Sequence, residues 1–294
     1  MTGLPRPQTE FQPSASDMEF MKFLTGIDDE ELLKRHVNGI REEAYKIFPY
    51  PYISAFAFAR RRIDGLPAYT KCLQLGRERK DAIFLDIGCG FGNDVRAIIT
   101  DGYPIENVVA SDLKHEFWDL GHKLFRSTAE SLPVPFLEGD VFDPSFLSPS
   151  HPFYSPPDTP SPDLNSIMSL SPLLGHISVI HASLLFHLFD EEGQSKLARL
   201  LASLLSPRSG SLIFGSHTGR FEKGLNPTSW PGNVDSKFCH SPESWEALWD
   251  GCVFEKGTVK VEATLNALDA DMERLGMTAE EGRMYRIAWS VTRV

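Results

Sequence analysis

The chain has 294 residues, with 29 Lys+Arg against 40 Asp+Glu and a formal net charge of −11. A chain this long can bury a sizeable core without disulfides or a structural metal, and 41% hydrophobic with 23% charged residues is the composition of a soluble globular protein. The acidic balance argues against nucleic acid as a partner, which needs clustered Lys/Arg, and against docking on an anionic membrane surface.

Residues 1–16, rich in Pro, Ser and Thr, read as a flexible N-terminal arm. They hold no apolar stretch that a signal peptide would need, and no segment of the chain approaches the ~20 apolar residues of a membrane span. Residues 17–81 read as a helical cover. Asp28 with Glu31 resembles a capped helix start, and Leu33, Val37, Ile40, Ala44 and Ile47 then repeat on one helix face. Pro49 and Pro51 end that helix. A second helical stretch carries Phe56 and Phe58, with the trio Arg60-Arg61-Arg62 expected on a solvated face.

From residue 82 onward short apolar runs alternate with amphipathic stretches, the pattern of a parallel sheet with helices on both faces. Strands are expected near Ala82–Leu85, Val108–Ser111, Phe136–Glu138, Ile177–Ala182 and Ser211–Gly215, with two late ones around Val259–Ala263 and Tyr285–Val291. Asp190 caps a helix carrying Leu197, Leu200, Leu201, Leu204 and Leu205. Ser241-Pro242 opens another, with Trp245, Leu248 and Trp249. The whole reads as an α/β, Rossmann-like, doubly wound and mostly parallel seven-stranded sheet over residues 82–294. Residues 143–172 interrupt it with eight prolines and eight serines. A loop this long is either functional or disordered, and it is expected at the edge of the site. The cysteines, Cys72, Cys89, Cys239 and Cys252, form no CxxC pair and lie far apart. They read as thiols in a reducing, cytoplasmic compartment and predict no metal site.

The informative segment runs Phe84-Leu85-Asp86-Ile87-Gly88-Cys89-Gly90-Phe91-Gly92-Asn93-Asp94: a strand ending in an acid, a glycine loop, then a helix. In an open α/β sheet a ligand sits at this point. A dinucleotide fingerprint needs a glycine where the chain has Asn93. Asp86 would also repel a pyrophosphate. S-adenosylmethionine (SAM) carries an α-ammonium and a sulfonium and no phosphate, so an acidic loop suits it better than NAD. The second strand ends in Asp112-Leu113, where a carboxylate can accept from both ribose hydroxyls. The third ends in Glu138-Gly139-Asp140-Val141, where Asp140 can accept from the adenine amine, with Val141 or Leu113 against the ring. Singly, each acid could be a cap or turn residue. Three at successive strand ends form a cofactor set: Asp86, Gly88, Gly90, Asp112, Leu113, Asp140 and Val141.

With these motifs the chain resembles class I SAM-dependent methyltransferases. Tyr50-Pro51-Tyr52, Ile180-His181-Ala182-Ser183 through Phe186-His187-Leu188-Phe189, and Ser244-Trp245-Glu246-Ala247-Leu248-Trp249 are similar to a fungal family that O-methylates meroterpenoid and polyketide intermediates, often on a carboxyl group. The resemblance implies an O-methyltransferase of secondary metabolism acting on a carboxyl or hydroxyl of a small apolar or aromatic molecule. A carboxylic acid acceptor is ionised near pH 7 and needs no base, whereas a phenol gains from one. His181, His187, His217 and His240 are the candidates. His181, at the end of the fourth strand, is expected at the cofactor, and His187 is the one named for catalysis. Tyr50, Tyr52, His217 and Trp230 are expected at the acceptor. Two other readings stand beside this one: a SAM-binding regulatory protein without turnover, and an NAD-dependent oxidoreductase, which Asn93 and Asp86 disfavour.

Overall fold

The computed structural model describes residues 10–225, 238–268 and 284–294. Its frame is a seven-stranded sheet. The strands are β1 (Ile83–Ile87), β2 (Val108–Asp112), β3 (Phe136–Glu138), β4 (Ile177–His181), β5 (Leu212–Gly219), β8 (Val259–Ala267) and β9 (Tyr285–Arg293), in the order β3-β2-β1-β4-β5-β9-β8. The first five pair in parallel, and β9 runs antiparallel between β5 and β8. This is the doubly wound order, reversing between β1 and β4, where the carboxyl ends of the strands open a crevice. The pair β6 (Gly224–Leu225) and β7 (Phe238–Cys239) forms a separate two-stranded sheet.

Strand periodicity sorts the core into two layers. Phe84, Val108, Val179, Leu212 and Phe214 face one layer. It is covered by α1 (Ala15–Thr25), α2 (Glu30–Ile47), α4 (Tyr69–Glu78), α5 (Asn93–Thr100) and α6 (His115–Leu124). Ile83, Leu85, Ile87, Ile180 and Ile213 face the other, beneath α7 (Glu191–Leu204) and α8 (Pro242–Trp249). Along α2 the expected residues Leu33, Val37, Ile40 and Ala44 are buried, and Asp29 rather than Asp28 caps the helix, accepting from Leu32 N at 2.9 Å. The caps at Asp190 and Ser241 form as read from sequence. Both Trp245 and Trp249 are fully buried, so their spacing of four is a packing signal.

Four sequence expectations change. The segment read as a flexible arm is packed from residue 10 on. Phe11 is buried and its N–H donates to Asn38, while Ser14 caps α1 through a capping box with Asp17. The second helical stretch is broken. α3 (Pro51–Ser54) stops where Phe56 takes a left-handed φ of 54°, and only 3₁₀ turns follow at Ala57–Ala59 and Ile63–Gly65. The arginine trio is not a solvated face: Arg60 is buried against Asp17 at 3.0 Å, and Arg61 pairs with Asp64 and Asp101. Finally, segment 143–172 packs into the layer of α7 and α8 through Phe146, Leu147, Leu164, Ile167 and Leu170. Phe153 O accepts from Arg293 and Tyr154 OH accepts from Glu255 N, pinning it there. Its proline content blocks helix and ladder while spaced apolar residues still supply the anchors.

Candidate active site

The glycine loop leaves β1 with Gly88, Gly90 and Gly92 at φ of 73°, 53° and 66°. Side chains rarely adopt this left-handed region, so the glycines are what lets the loop turn tightly. Asp112, half-buried at the end of β2, accepts from Gly90 N at 2.8 Å and Lys114 N at 3.1 Å, and so ties the second strand end to the loop. From beneath, Arg96 donates to Phe91 O and Gly92 O while its guanidinium lies over the rings of Trp118 and Phe125. Its burial pulls its pKa down to about 9. Sequence reasoning missed Arg96, since an arginine on an amphipathic helix carries no signal of inward orientation.

Acids crowd this end. Burial raises the Asp112 carboxyl, and the charge of Asp86 adds to the rise against its backbone hydrogen bonds. Asp94, at the start of α5, is pushed up to about 6, first by burial and then with Asp86 opposing His181 and Arg62. At the third strand end Asp140 is exposed and accepts from Phe142 N at 2.9 Å, a turn-forming bond. Leu113 is exposed and Val141 buried. Tyr50 and Tyr52, expected at the acceptor, stand instead against the loop. Their rings pack on Phe117 and Phe91, and burial, then Asp112, raises both phenols.

At the ends of β4, β5 and β9 lies a cavity of about 170 Å³ lined by Arg62, Gly65, Leu66, Ser183, Ser216, Asn266, Ala267, Leu268, Arg286 and Ala288. Register explains the convergence. Ser216 faces Ala288, and Arg286 lies between Thr218 and Asn266 across the three strands. Gly215 makes the crossing possible, because a Cβ there would sit 2.2 Å from Ala182 O and displace the chain that carries Ser183. A hydrogen-bonded chain joins this cavity to the glycine loop. Asp86 Oδ1 lies 2.8 Å from His181 Nδ1, His181 Nε2 lies 2.8 Å from Ser183 Oγ, and Ser216 N donates to Ser183 Oγ at 3.1 Å. His181 is 2% exposed with both nitrogens engaged, so it meets a ligand only through Ser183 or Asp86.

The remaining histidines lie elsewhere. His187 sits in the turn Phe186–Leu188 and His217 in β5, and neither lines the cavity. His217 is buried among Phe186, Trp245 and Trp289, and accepts the Trp289 indole N–H at Nδ1, 3.0 Å away. Burial, then His187 and His240, holds its pKa well below the usual range, so it is neutral. His240 bonds Ser244 at the start of α8. Trp230 lies outside the described residues.

Residues 8–59 match a family model described as the meroterpenoid methyltransferase N-terminal domain. The chain is 30% identical to methyltransferase adrK of Penicillium roqueforti, over 77% of this chain and 72% of adrK. It is 32% identical to the asnovolin E/chermesin D methyltransferase nvfJ of Aspergillus novofumigatus, over 79% of this chain and 74% of nvfJ. The chain belongs to this family of fungal methyltransferases. Its similarity extends to the O-methyltransferase phiE of a fungal species, at 33% identity over 76% of this chain; there it spans 66% of phiE's length. No helix among the described residues is long and apolar enough to cross a membrane. For a methyltransferase of this family the loop must take SAM, and the loop's chemistry fits. Burial and the charge of Asp86 raise the cost of ionising Asp94 and Asp112, which a pyrophosphate would worsen and a sulfonium with its ammonium would offset.

Proposed function

We propose that the protein transfers a methyl group from SAM to an oxygen of a small acidic natural product held in the cavity. The observation that carries this reading is the chain Asp86–His181–Ser183, which links the strand entering the glycine loop to the wall of a polar cavity. Asp112 would hold the ribose hydroxyls, Asp140 the adenine amine, and Leu113 with Val141 the flanks of the ring. The glycines admit close approach of the backbone. Bound there, SAM supplies a methyl on a good leaving group, so the protein's work is mainly orientation.

Arg62 and Arg286 on the cavity wall favour an anionic oxygen, and between carboxyl and hydroxyl this supports the carboxyl. A carboxylate needs no general base, so His187 has no part in the proposed chemistry. Cys72 and Cys89, buried thiols, suit a reducing cytoplasm. Calorimetric titration with SAM and with NAD tests the cofactor assignment. SAM should bind and NAD should not, and the reverse result would return the chain to the oxidoreductase reading.

A further inference from the structure

The hydrogen bonds around Ser183 leave little freedom. A hydroxyl has one proton and two lone pairs. One lone pair of Ser183 Oγ takes the Ser216 N–H. Asp86, as a carboxylate, takes the proton on His181 Nδ1. What remains depends on His181 Nε2. If Nε2 is bare, Ser183 must donate to it, and its second lone pair faces the cavity. If Nε2 is protonated, that lone pair is used, and the Ser183 hydroxyl proton is left free of both partners at a residue that lines the cavity.

From this count we infer that Ser183 is the acceptor-contacting residue of the cavity and that the Asp86–His181 pair is a positioning device that sets whether Ser183 offers the acceptor a hydrogen-bond donor or a lone pair. The inference rests on the reading that the cavity holds the methyl acceptor. With His181 cationic, Ser183 joins Arg62 and Arg286 in facing an anionic oxygen with a donor. With His181 neutral, it faces a hydroxyl with an acceptor. The segment Ile180-His181-Ala182-Ser183 carries the family resemblance, but sequence alone gives Ser183 no role, because its bonds to His181 and Ser216 N appear only in the fold.

The surroundings of His181 decide which form prevails. Burial opposes the charge. Asp86 on β1, through charge and hydrogen bond, and Asp94 at the start of α5 favour it, and the balance raises the imidazolium pKa above its ordinary value. Phe84 on β1 and Phe214 on β5 lie beside the ring and bring no charge. Arg62 and Arg286 are the charged residues among those lining the cavity. The donor form therefore prevails below and around pH 6.5, and the lone-pair form takes over as pH rises through the raised pKa.

Benzoate and benzyl alcohol, titrated separately against the full chain across this pH range, test the device with probes of matched shape. Benzoate should weaken by about tenfold through the transition, the scale of one charge-assisted hydrogen bond, and benzyl alcohol should tighten. Ser183→Ala should flatten both dependences, and Ser183→Thr, which keeps a hydroxyl, should restore them. Histidine-labelled ¹⁵N NMR should show benzoate raising the His181 pKa in the wild type and not in Ser183→Ala. Parallel slopes for the two probes, opposed slopes surviving in Ser183→Ala, or no binding of either probe would overturn the inference. A parallel SAM titration keeps the outcomes apart. Loss of SAM binding in the wild type counts against the methyltransferase reading, whereas intact SAM binding with unopposed slopes counts against the Ser183 device alone.

Discussion

The glycine loop after β1 and the cavity beyond β4 are neighbours in one sheet, yet they are assembled in different ways. The loop end is local. Asp86, Gly88, Gly90 and Gly92 lie within seven residues, and Asp112 reaches them from the next strand by a single bond to Gly90 N. The cavity end draws on distant segments: Arg62 and Leu66 from the N-terminal cover, Ser183 after β4, Ser216 from β5, and Asn266 and Arg286 from the antiparallel edge. A local site depends on backbone conformation and survives damage elsewhere. A convergent site depends on every element that carries a wall.

That contrast can be broken by disturbing the cover. Arg60 and Asp17 are both buried and paired at 3.0 Å, two residues before Arg62. Arg60→Ala removes the charge partner of a buried carboxylate, leaving it hydrogen bonds from Ser14 and Arg61 N, and should cost about 3–5 kcal/mol in urea unfolding. In whatever fraction stays folded, benzoate affinity should suffer more than SAM affinity. Equal losses would show that the two ends are one cooperative unit. The converse variant is Asp112→Ala, which removes the acceptor for Gly90 N. SAM binding by calorimetry should weaken by about 1–3 kcal/mol while benzoate binding holds. Unchanged SAM affinity would mean that the second-strand acid plays no part in cofactor binding.

Acidity separates the ends more gently. His217 on β5 and His240 just ahead of α8 are buried, and burial lowers both pKa values, His240 to about 4. The unfolded chain thus binds more protons between about 6.5 and 4, and stability is lost as pH falls there, by about 1.4 kcal/mol per pH unit for one such group. Asp94, raised to about 6, acts in the opposite sense. The folded chain holds its proton more firmly than the unfolded one, so stability is gained as pH falls through that value. Asp94→Asn should therefore steepen the fall in melting temperature from pH 7 to pH 5, and an unchanged slope would leave the acid cluster without a role in the pH response.

The same contrast governs how much the sequence reveals. Alternating apolar runs locate the seven strands of the main sheet, because each is set by residues adjacent in the chain, and miss the two-residue strands β6 and β7. The Asp-x-Gly-x-Gly-x-Gly run locates the loop for the same reason. The cap at Asp190 and the apolar face of α2 are equally local. Arg62 could not be recognised, because three consecutive arginines read as surface until Asp17 and Asp101, from other elements, draw the first two inward. Aromatic character and the Tyr50-Pro51-Tyr52 resemblance point to the acceptor, but neither distinguishes a substrate wall from packing on Phe117 and Phe91. The segment 143–172 shows the limit of composition. Its prolines and serines suggest a loop, while five apolar residues spread over 25 positions fix where it packs.

Methyl-labelled SAM separates transfer to an acidic oxygen from every other outcome. Incubated with the protein and an acidic fraction of fungal metabolites, the label should pass to small molecules and be released by mild alkali, as a methyl ester requires. Label retained through alkali would place the methyl on a hydroxyl and contradict the role given to Arg62 and Arg286. SAM binding without any transfer would contradict the enzyme itself and leave a SAM-binding partner protein in its place.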